Sequence, residues 1–415
     1  MKVLLLTQYY LPENAPGAHR LSSLAQSLKK QGHEVEVLTS FPNYPNQELF
    51  GGYKLKWHNV EEIKGIRVNR CYTFIKKSRG LVSRALGFLS FQTSSAIIGI
   101  TKIKKPDLII CLSPPIFLGV TGVLLRWWHK STMILNVADL WPESGIKLGV
   151  IKNKLIIKTL ENLEVFLYNR SDGVAGQTQG IVKHINNKIP NTPIVWFKNG
   201  VDFSTLQTQI NVDVVEDNPE GEFVVGYTGL VGYAQGLEVL VEAAKILESN
   251  KNIKFLVVGD GPKLEEVKAL SRKYSLSNIE FTGNVPKSEM PSYLYKMDVT
   301  VVPLKKNELF LGAIPSKIFD SFANKVPVIL GVSGEAKELF CDTYNCAYYF
   351  EPENVNRLVD VLLECSNDLE DVKKKGNRGF EVISNDFNRE KINDDIIYFM
   401  EKVFISKLEL SLLTK

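Results

Sequence analysis

The sequence predicts an α/β protein made of two doubly wound, Rossmann-like domains facing a cleft. Three observations support this. Short apolar runs alternate with amphipathic stretches through both halves of the chain, as parallel strands with right-handed helical crossovers require. At 415 residues and 44% hydrophobic content, the chain exceeds what one core holds and suits two domains of roughly 200 residues each. Finally, Ile194-Val195-Trp196-Phe197 runs into Asn199-Gly200, with Asp202 just beyond. Asn and Gly tolerate positive φ and can swing a chain sharply. An Asn-Gly pair between apolar residues usually signals a hairpin. Here Ser204 to Gly221 is polar, and a new strand–helix pattern starts only at Phe223. The turn therefore reads as a domain junction.

In the first half Lys2–Thr7 reads as a buried strand. His19–Gln31 reads as a helix with Leu21, Leu24, Ala25 and Leu28 on one face; Gly32 closes it and Glu34–Thr39 is the next strand. Leu108–Leu112, Thr132–Val137, Gly173–Gly176 and Ile194–Phe197 are further strands. In the second half the strands are Phe223–Thr228, Lys254–Val258, Ile279–Thr282, Val299–Val302 and Val326–Leu330. Helices between them include Leu237–Glu248, Lys263–Tyr274, Ser288–Tyr295 and Ser316–Ala323. The expected domains are 1–200 and 201–385, with a helical segment over 386–415. Ligands in such folds bind at the carboxyl ends of the strands.

Five cysteines without CxxC spacing argue against a disulfide framework or structural zinc and favour a reducing compartment. The apolar run at Met1–Thr7 is too short for a signal peptide and lacks a small-residue cleavage site after it, so a cytoplasmic protein is expected. Charge is divided unevenly. Through Gly200 there are 26 Lys and Arg against 12 Asp and Glu; the remainder has 24 against 34. The excess concentrates from Lys76 to Lys130, where Lys77, Arg79, Lys102, Lys104 and Lys105 flank the apolar segment 81–101, with Trp127 and Trp128 following. That composition suits peripheral attachment to an anionic membrane surface, or a core helix with solvated basic ends. Gln92 to Ser95 interrupt a run already short for spanning a bilayer. No nucleic-acid recognition module accompanies the basic residues.

Three segments of the second half could hold an anionic ligand. Val258-Gly259-Asp260-Gly261-Pro262-Lys263 is a strand, a glycine turn and a helix start; Thr228-Gly229 ends another strand. Such ends present backbone N–H groups to phosphates. In Gly312-Ala313-Ile314-Pro315-Ser316-Lys317, Pro315 and Ser316 mark a helix start with Lys317 in its first turn. A lysine there opposes the helix dipole, which makes sense if a diphosphate joins it. Asp320 lies one turn on, within reach of a ribose diol. In the first half His19 and Arg20 follow the Gly17 loop, suited either to ligand contact or to structural capping, and Asp139 and Glu143 follow the strand Thr132–Val137. Glu161 and Glu164 are expected on a solvated helix face.

Taken in order, Asn199-Gly200-Val201-Asp202, Gly259-Asp260-Gly261-Pro262, Phe281-Thr282-Gly283-Asn284-Val285 and Asp298 to Pro303 resemble glycosyltransferase family 4, whose fold is GT-B. Tyr9 to Glu13, Ala15-Pro16-Gly17, Gly32-His33-Glu34, Asp139 to Ser144 and Pro315-Ser316-Lys317 resemble its bacterial O-antigen and capsule branch, which includes fucosyl- and N-acetylfucosaminyl-transferases. The likeness covers nearly the whole chain. It departs from the family twice. Of the usual two glutamates with seven residues between them, the second is matched by Asp320 and the first falls on Gly312. The Arg and Lys common after the first strand of the second domain are absent between Gly229 and Gly236.

The resemblance implies transfer of a sugar, with retention, from a nucleoside diphosphate donor to a lipid-linked or saccharide acceptor. The second domain would bind the donor and the first the acceptor. Donor contacts would come from Gly17, Thr228, Gly229, Gly259, Gly261, Val285, Glu308, Ser316, Lys317 and Asp320. Lys317 would stabilise the departing diphosphate; Asp139 and Glu143 would orient the acceptor or relay its proton, and His19 and Arg20 would lie on the acceptor side. UDP-N-acetyl-L-fucosamine or a related deoxy-hexose donor is the branch's suggestion. No Asp-x-Asp occurs, so neither metal nor other cofactor is expected. A nucleotide-sugar 2-epimerase of the same fold and a non-catalytic, membrane-associated partner in polysaccharide assembly are the alternatives.

Overall fold

The computed structural model describes residues 1–413 apart from 45–46, 77–80, 148–150 and 204–220. The expected polar linker over 204–220, together with Lys77 and Arg79, therefore lies outside the described residues. The chain divides into two compact units. Unit 1 comprises Met1–Asn199 and Glu390–Lys415; unit 2 is Gly200–Arg389.

Unit 1 carries an eight-stranded sheet of β1 (Lys2–Leu6), β2 (Glu34–Ser40), β3 (His58–Ile63), β4 (Ile66–Cys71), β5 (Leu108–Ser113), β6 (Thr132–Val137), β7 (Gly173–Gly176) and β8 (Ile194–Trp196). Its order is β3-β4-β2-β1-β5-β6-β7-β8, parallel except for the antiparallel pair β3–β4. Sequence periodicity does not reveal that pair. β3 reads His-Asn-Val-Glu-Glu-Ile, a polar edge strand, while β4 buries Asn69 and Arg70 where a core strand would hold apolar residues. Polar edges discourage strand-to-strand aggregation and also erase the hydrophobic signature.

Both faces of this sheet are covered, as double winding requires. On one face Phe91 and Ile98 of helix Leu81–Thr101, Leu118 and Leu125 of helix Ile116–His129, and Leu160 and Leu167 of helix Lys154–Arg170 form a single core. On the other, Leu21, Leu24 and Leu28 of helix Pro16–Lys30 pack with Ile392, Ile396 and Met400 of helix Arg389–Leu413. The first helix begins at Pro16, three residues before the expected start. Proline is favoured in the first turn because its missing N–H has no intrahelical partner there.

Unit 2 carries a six-stranded, wholly parallel sheet: β9 (Phe223–Thr228), β10 (Ile253–Val258), β11 (Ile279–Gly283), β12 (Val299–Pro303), β13 (Val328–Gly331) and β14 (Ala347–Tyr349). The order β11-β10-β9-β12-β13-β14 reverses direction between β9 and β12. In such sheets the crevice beyond the carboxyl ends of the two strands at the reversal is the ligand site. The two parallel-sheet, Rossmann-like units agree with the expected fold class.

Candidate active site

In unit 2 the reversal point is occupied by Lys317. Helix Ser316–Ala323 starts after Pro315, whose extended backbone (φ −59°, ψ 133°) sets its entry, and buries Ile318, Phe319 and Phe322. That packing turns Lys317 toward the end of β9. Its Nζ donates to Tyr227 Oη at 2.6 Å and to the Thr228 carbonyl, and lies 3.9 Å from the Tyr227 ring centroid. Burial pushes the ammonium pKa down to about 7, against the weaker pull of Asp320. A lysine held by neutral acceptors and poised between charge states responds strongly to an arriving anion.

The glycines beside it have a structural reason of their own. A Cβ on Gly259 would stand 1.8 Å from the Gly229 carbonyl oxygen, and one on Gly261 would stand 2.4 Å from that of Val231. The loops after β9 and β10 are laced by Gly229 N–H to Val258 O (2.7 Å) and Val231 N–H to Asp260 O (2.9 Å). Only glycine permits this approach. Gly229 itself has φ 97° and lies against Lys317 Nζ. Thr228, Gly229, Gly259, Gly261 and Lys317 are thus brought together. Ser316 and Asp320 are exposed on the same short helix, and Val285 lies half-buried just past β11. Glu308 lines a different cleft of about 240 Å³ with Leu304, Phe310, Leu311, Ser333 and Pro352.

Unit 1 corrects two expectations. Arg20 is not on an acceptor-facing surface: it is 1% exposed, its guanidinium donating to Gln177, Asn136 and Asn199 and lying 5.2 Å from the Phe197 ring. The helix starting at Pro16 sets Arg20 a turn inside, among the strand ends, while His19 stays exposed with its Nε2 2.6 Å from Asn14 Oδ1. Glu164 is likewise not solvated. It is 4% exposed and accepts from Tyr168 Oη (2.8 Å), Lys188 Nζ (2.6 Å) and His184 Nε2 (3.1 Å). Helix Lys154–Arg170 turns that side inward with Leu160 and Leu167.

Beyond β6, Ser144 Oγ donates to Asp139 Oδ1 at 2.7 Å, and Glu143 Oε2 lies 3.5 Å from His184 Nδ1. His184 therefore stands between Glu143 and Glu164. Gly17 sits in the first turn of its helix, where a Cβ would meet Leu112 at 3.2 Å. A further carboxylate closes the Tyr9 to Glu13 segment. Glu13 is fully buried and accepts the backbone N–H groups of Tyr10, Asn43 and Tyr44 at 2.9–3.2 Å. Desolvation raises its pKa to about 6 despite those bonds. A glutamate beside a proline in a loop gives no periodic signal of burial.

Comparison with known proteins bears on both units. Residues 17–200 match the glycosyl transferase 4-like domain, and residues 209–382 match the glycosyl transferases group 1 family. The chain is a glycosyltransferase. Its likeness to that group extends along most of its length. WcaI of Escherichia coli K12, named as a colanic acid biosynthesis glycosyl transferase, is 26% identical over 379 residues, spanning 86% of this chain and 90% of that protein. The alpha-monoglucosyldiacylglycerol synthase of Streptococcus pneumoniae is 22% identical over 429 residues, spanning 96% and 90%. Among solved structures, sucrose-phosphate synthase of Thermosynechococcus elongatus superposes with TM-score 0.71 at 16% identity, over 98% of this chain and 99% of that one. Anabaena HepE in complex with UDP-glucose superposes at 0.66 and 17%, over 97% and 100%. These neighbours establish the GT-B fold for this glycosyltransferase.

Proposed function

We propose that this glycosyltransferase moves a sugar, with retention of configuration, from a nucleoside diphosphate donor on unit 2 to a lipid-linked or saccharide acceptor on unit 1, in assembly of a bacterial surface polysaccharide such as O-antigen or capsule. UDP-N-acetyl-L-fucosamine or a related deoxy-hexose donor follows from the branch the motifs resemble. The placement of Lys317 carries the reading: a half-buried cation at a helix start, beside the glycine-lined end of β9, where the strand order reverses. Departure of the nucleotide gathers charge on the β-phosphate, and fixed donors at that point lower the barrier most. Lys317 and the N–H groups of the Ser316 helix start supply them without a metal ion. Asp139 and Glu143 orient the acceptor hydroxyl, which attacks on the face the diphosphate leaves.

The enzyme works at the inner face of the cytoplasmic membrane. No described helix is long and apolar enough to cross a membrane. Helix Leu81–Thr101 nevertheless exposes Leu86, Leu89 and Ile97; Trp127 is 71% exposed and Leu155 75%. Lys102, Lys104, Lys105 and Lys130 are exposed near them in the chain. Apolar and basic residues in combination favour anionic lipid. Thermal stabilisation by UDP, GDP, ADP, dTDP and CMP, without and then with magnesium, tests the donor assignment. A selective shift by UDP without metal supports it; no shift with any nucleotide overturns it.

A further inference from the structure

Unit 1 contains a cleft that none of the residues assigned above occupies. It measures about 320 Å³ and opens beyond the carboxyl ends of β1, β2 and β4, against helix Leu81–Thr101. Tyr9 and Tyr44 form one wall, their ring centroids 5.1 Å apart and tilted by 45°. Phe74 and Phe88 line it as well, and Lys76 lies exposed beside them. The walls are fixed. Phe74 N–H donates to Ser90 Oγ at 2.7 Å, Thr73 Oγ1 to the Gly87 carbonyl at 3.1 Å, and Glu13 holds the backbone of Asn43 and Tyr44.

The cleft also contains Gln8, only 3% exposed, whose backbone carbonyl accepts from Ser40 Oγ at 2.7 Å. Its side-chain Oε1 is buried with no hydrogen-bond partner among the described residues. Leaving such an acceptor unmet costs about 1–3 kcal/mol, so a buried orphan beside a cavity marks where a ligand's donor belongs. We infer that this cleft binds a pyranose ring of the acceptor, with a sugar hydroxyl donating to Gln8 Oε1 and the ring's C–H face lying on Tyr9 and Tyr44. A hydrocarbon tail fits less well, since it would leave Gln8 unmet and cover the part-exposed amide of Asn43 without offering it a hydrogen bond. Aromatic walls with one or two placed polar groups are the usual make-up of a small-ligand site. The inference rests on the reading of unit 1 as the acceptor side. It assigns the saccharide, and not the lipid, to this cleft.

Saturation-transfer NMR of the full chain decides it, using methyl glycosides of glucose, galactose, mannose, fucose, N-acetylglucosamine and glucuronic acid, with dodecyl phosphate as competitor. The wild type is expected to bind at least one glycoside, undisplaced by dodecyl phosphate. Affinity should fall at least tenfold in Gln8→Leu and in Tyr44→Ala. Gln8→Leu should fold at an unchanged or higher Tm, because it removes the orphan. The inference is overturned if no glycoside binds, if both variants bind like the wild type, or if dodecyl phosphate displaces the sugar. Nucleotide-induced stabilisation, measured on the same samples, reports separately on the transferase reading.

Discussion

Lys317 Nζ lies 2.6 Å from Tyr227 Oη, and this bond joins the start of one helix to the end of the central strand of unit 2. The phenol is buried, and desolvation keeps it neutral well above the usual tyrosine range. It can fix the lysine in position without cancelling its charge. Lys317→Met is expected to lower kcat by about 10²- to 10³-fold, the typical effect of removing one donor from a developing charge. Tm should change little. Turnover in a radiolabelled donor assay, beside a melting curve, checks both; wild-type rates in the variant would remove Lys317 from the mechanism.

The depressed pKa makes nucleotide affinity depend on pH. With a pKa of about 7 in the free protein, Lys317 is charged below that value and neutral above it. A bound diphosphate stabilises the charged form, so binding takes up a proton near neutrality. Affinity should therefore be higher at pH 6.5 than at pH 8.5 in the wild type, beyond any trend seen in Lys317→Met. Calorimetry in buffers of different ionisation enthalpy measures the proton uptake directly.

Glu13 carries a linkage of the opposite sense to an ordinary surface carboxylate. Its folded pKa, about 6, lies above its unfolded value of 4.5. The folded state holds the proton more tightly, so this group's contribution is fully present below pH 4.5 and is lost as pH rises through 6. The loss amounts to about 2 kcal/mol for a shift of this size. Chemical denaturation from pH 4.5 to 7 should show that decline in the wild type and not in Glu13→Gln. The variant should also be less stable at pH 4.5, since its amide cannot accept all three backbone N–H groups.

Gly259→Ala should fail for a reason separate from ligand contact. A methyl 1.8 Å from the Gly229 carbonyl forces the β9 and β10 loops apart, at a cost of about 1–3 kcal/mol or more. Gly283→Ala is the control, because no atom lies within 4 Å of the added methyl, although its φ of 75° is also positive. Nucleotide stabilisation should vanish in the first variant and persist in the second.

Reversing the charge of Lys102, Lys104 and Lys105 together should reduce sedimentation with anionic vesicles, and Trp127→Ala with Trp128→Ala should do so independently of salt. Each lysine near such a surface contributes about 1 kcal/mol. Unchanged sedimentation in both variants would count against the membrane face.

The parallel strands and their crossovers were legible because buried strands are nearly continuous apolar runs, as in Leu108–Ser113, where every residue is buried. Of the strands that escaped, β14 is only three residues long, too short to leave a run, whereas β3 and β4 carry polar side chains: β4 places Asn69 and Arg70 inward because Glu61 and the Ser40 and Leu11 carbonyls meet the guanidinium there. The same cause misplaced Arg20 and Glu164. A charged side chain announces exposure unless its partners are known, and those partners lie far along the chain: Gln177 for Arg20, Lys188 for Glu164. Motif order located Gly259, Gly261 and Lys317. It could not indicate that Lys317 meets Tyr227, since that pairing depends on how one helix docks on the sheet.

The division of the chain has a consequence for its synthesis. Unit 2 is inserted within unit 1, and its two ends are tied together: Val201 N–H donates to Phe387 O, and Arg389 N–H donates to Val201 O, each at 2.8 Å. The final helix, through Ile392, Ile396, Ile397 and Met400, covers one face of the sheet that begins at Lys2, and Lys407 bonds Asp172 beside β7. As the chain leaves the ribosome, the whole of unit 2 has emerged before unit 1 receives its last layer. Leu21, Leu24 and Leu28 wait half-covered until the helix Arg389–Leu413 has emerged, a window in which a chaperone or an early chain break would meet an open hydrophobic face.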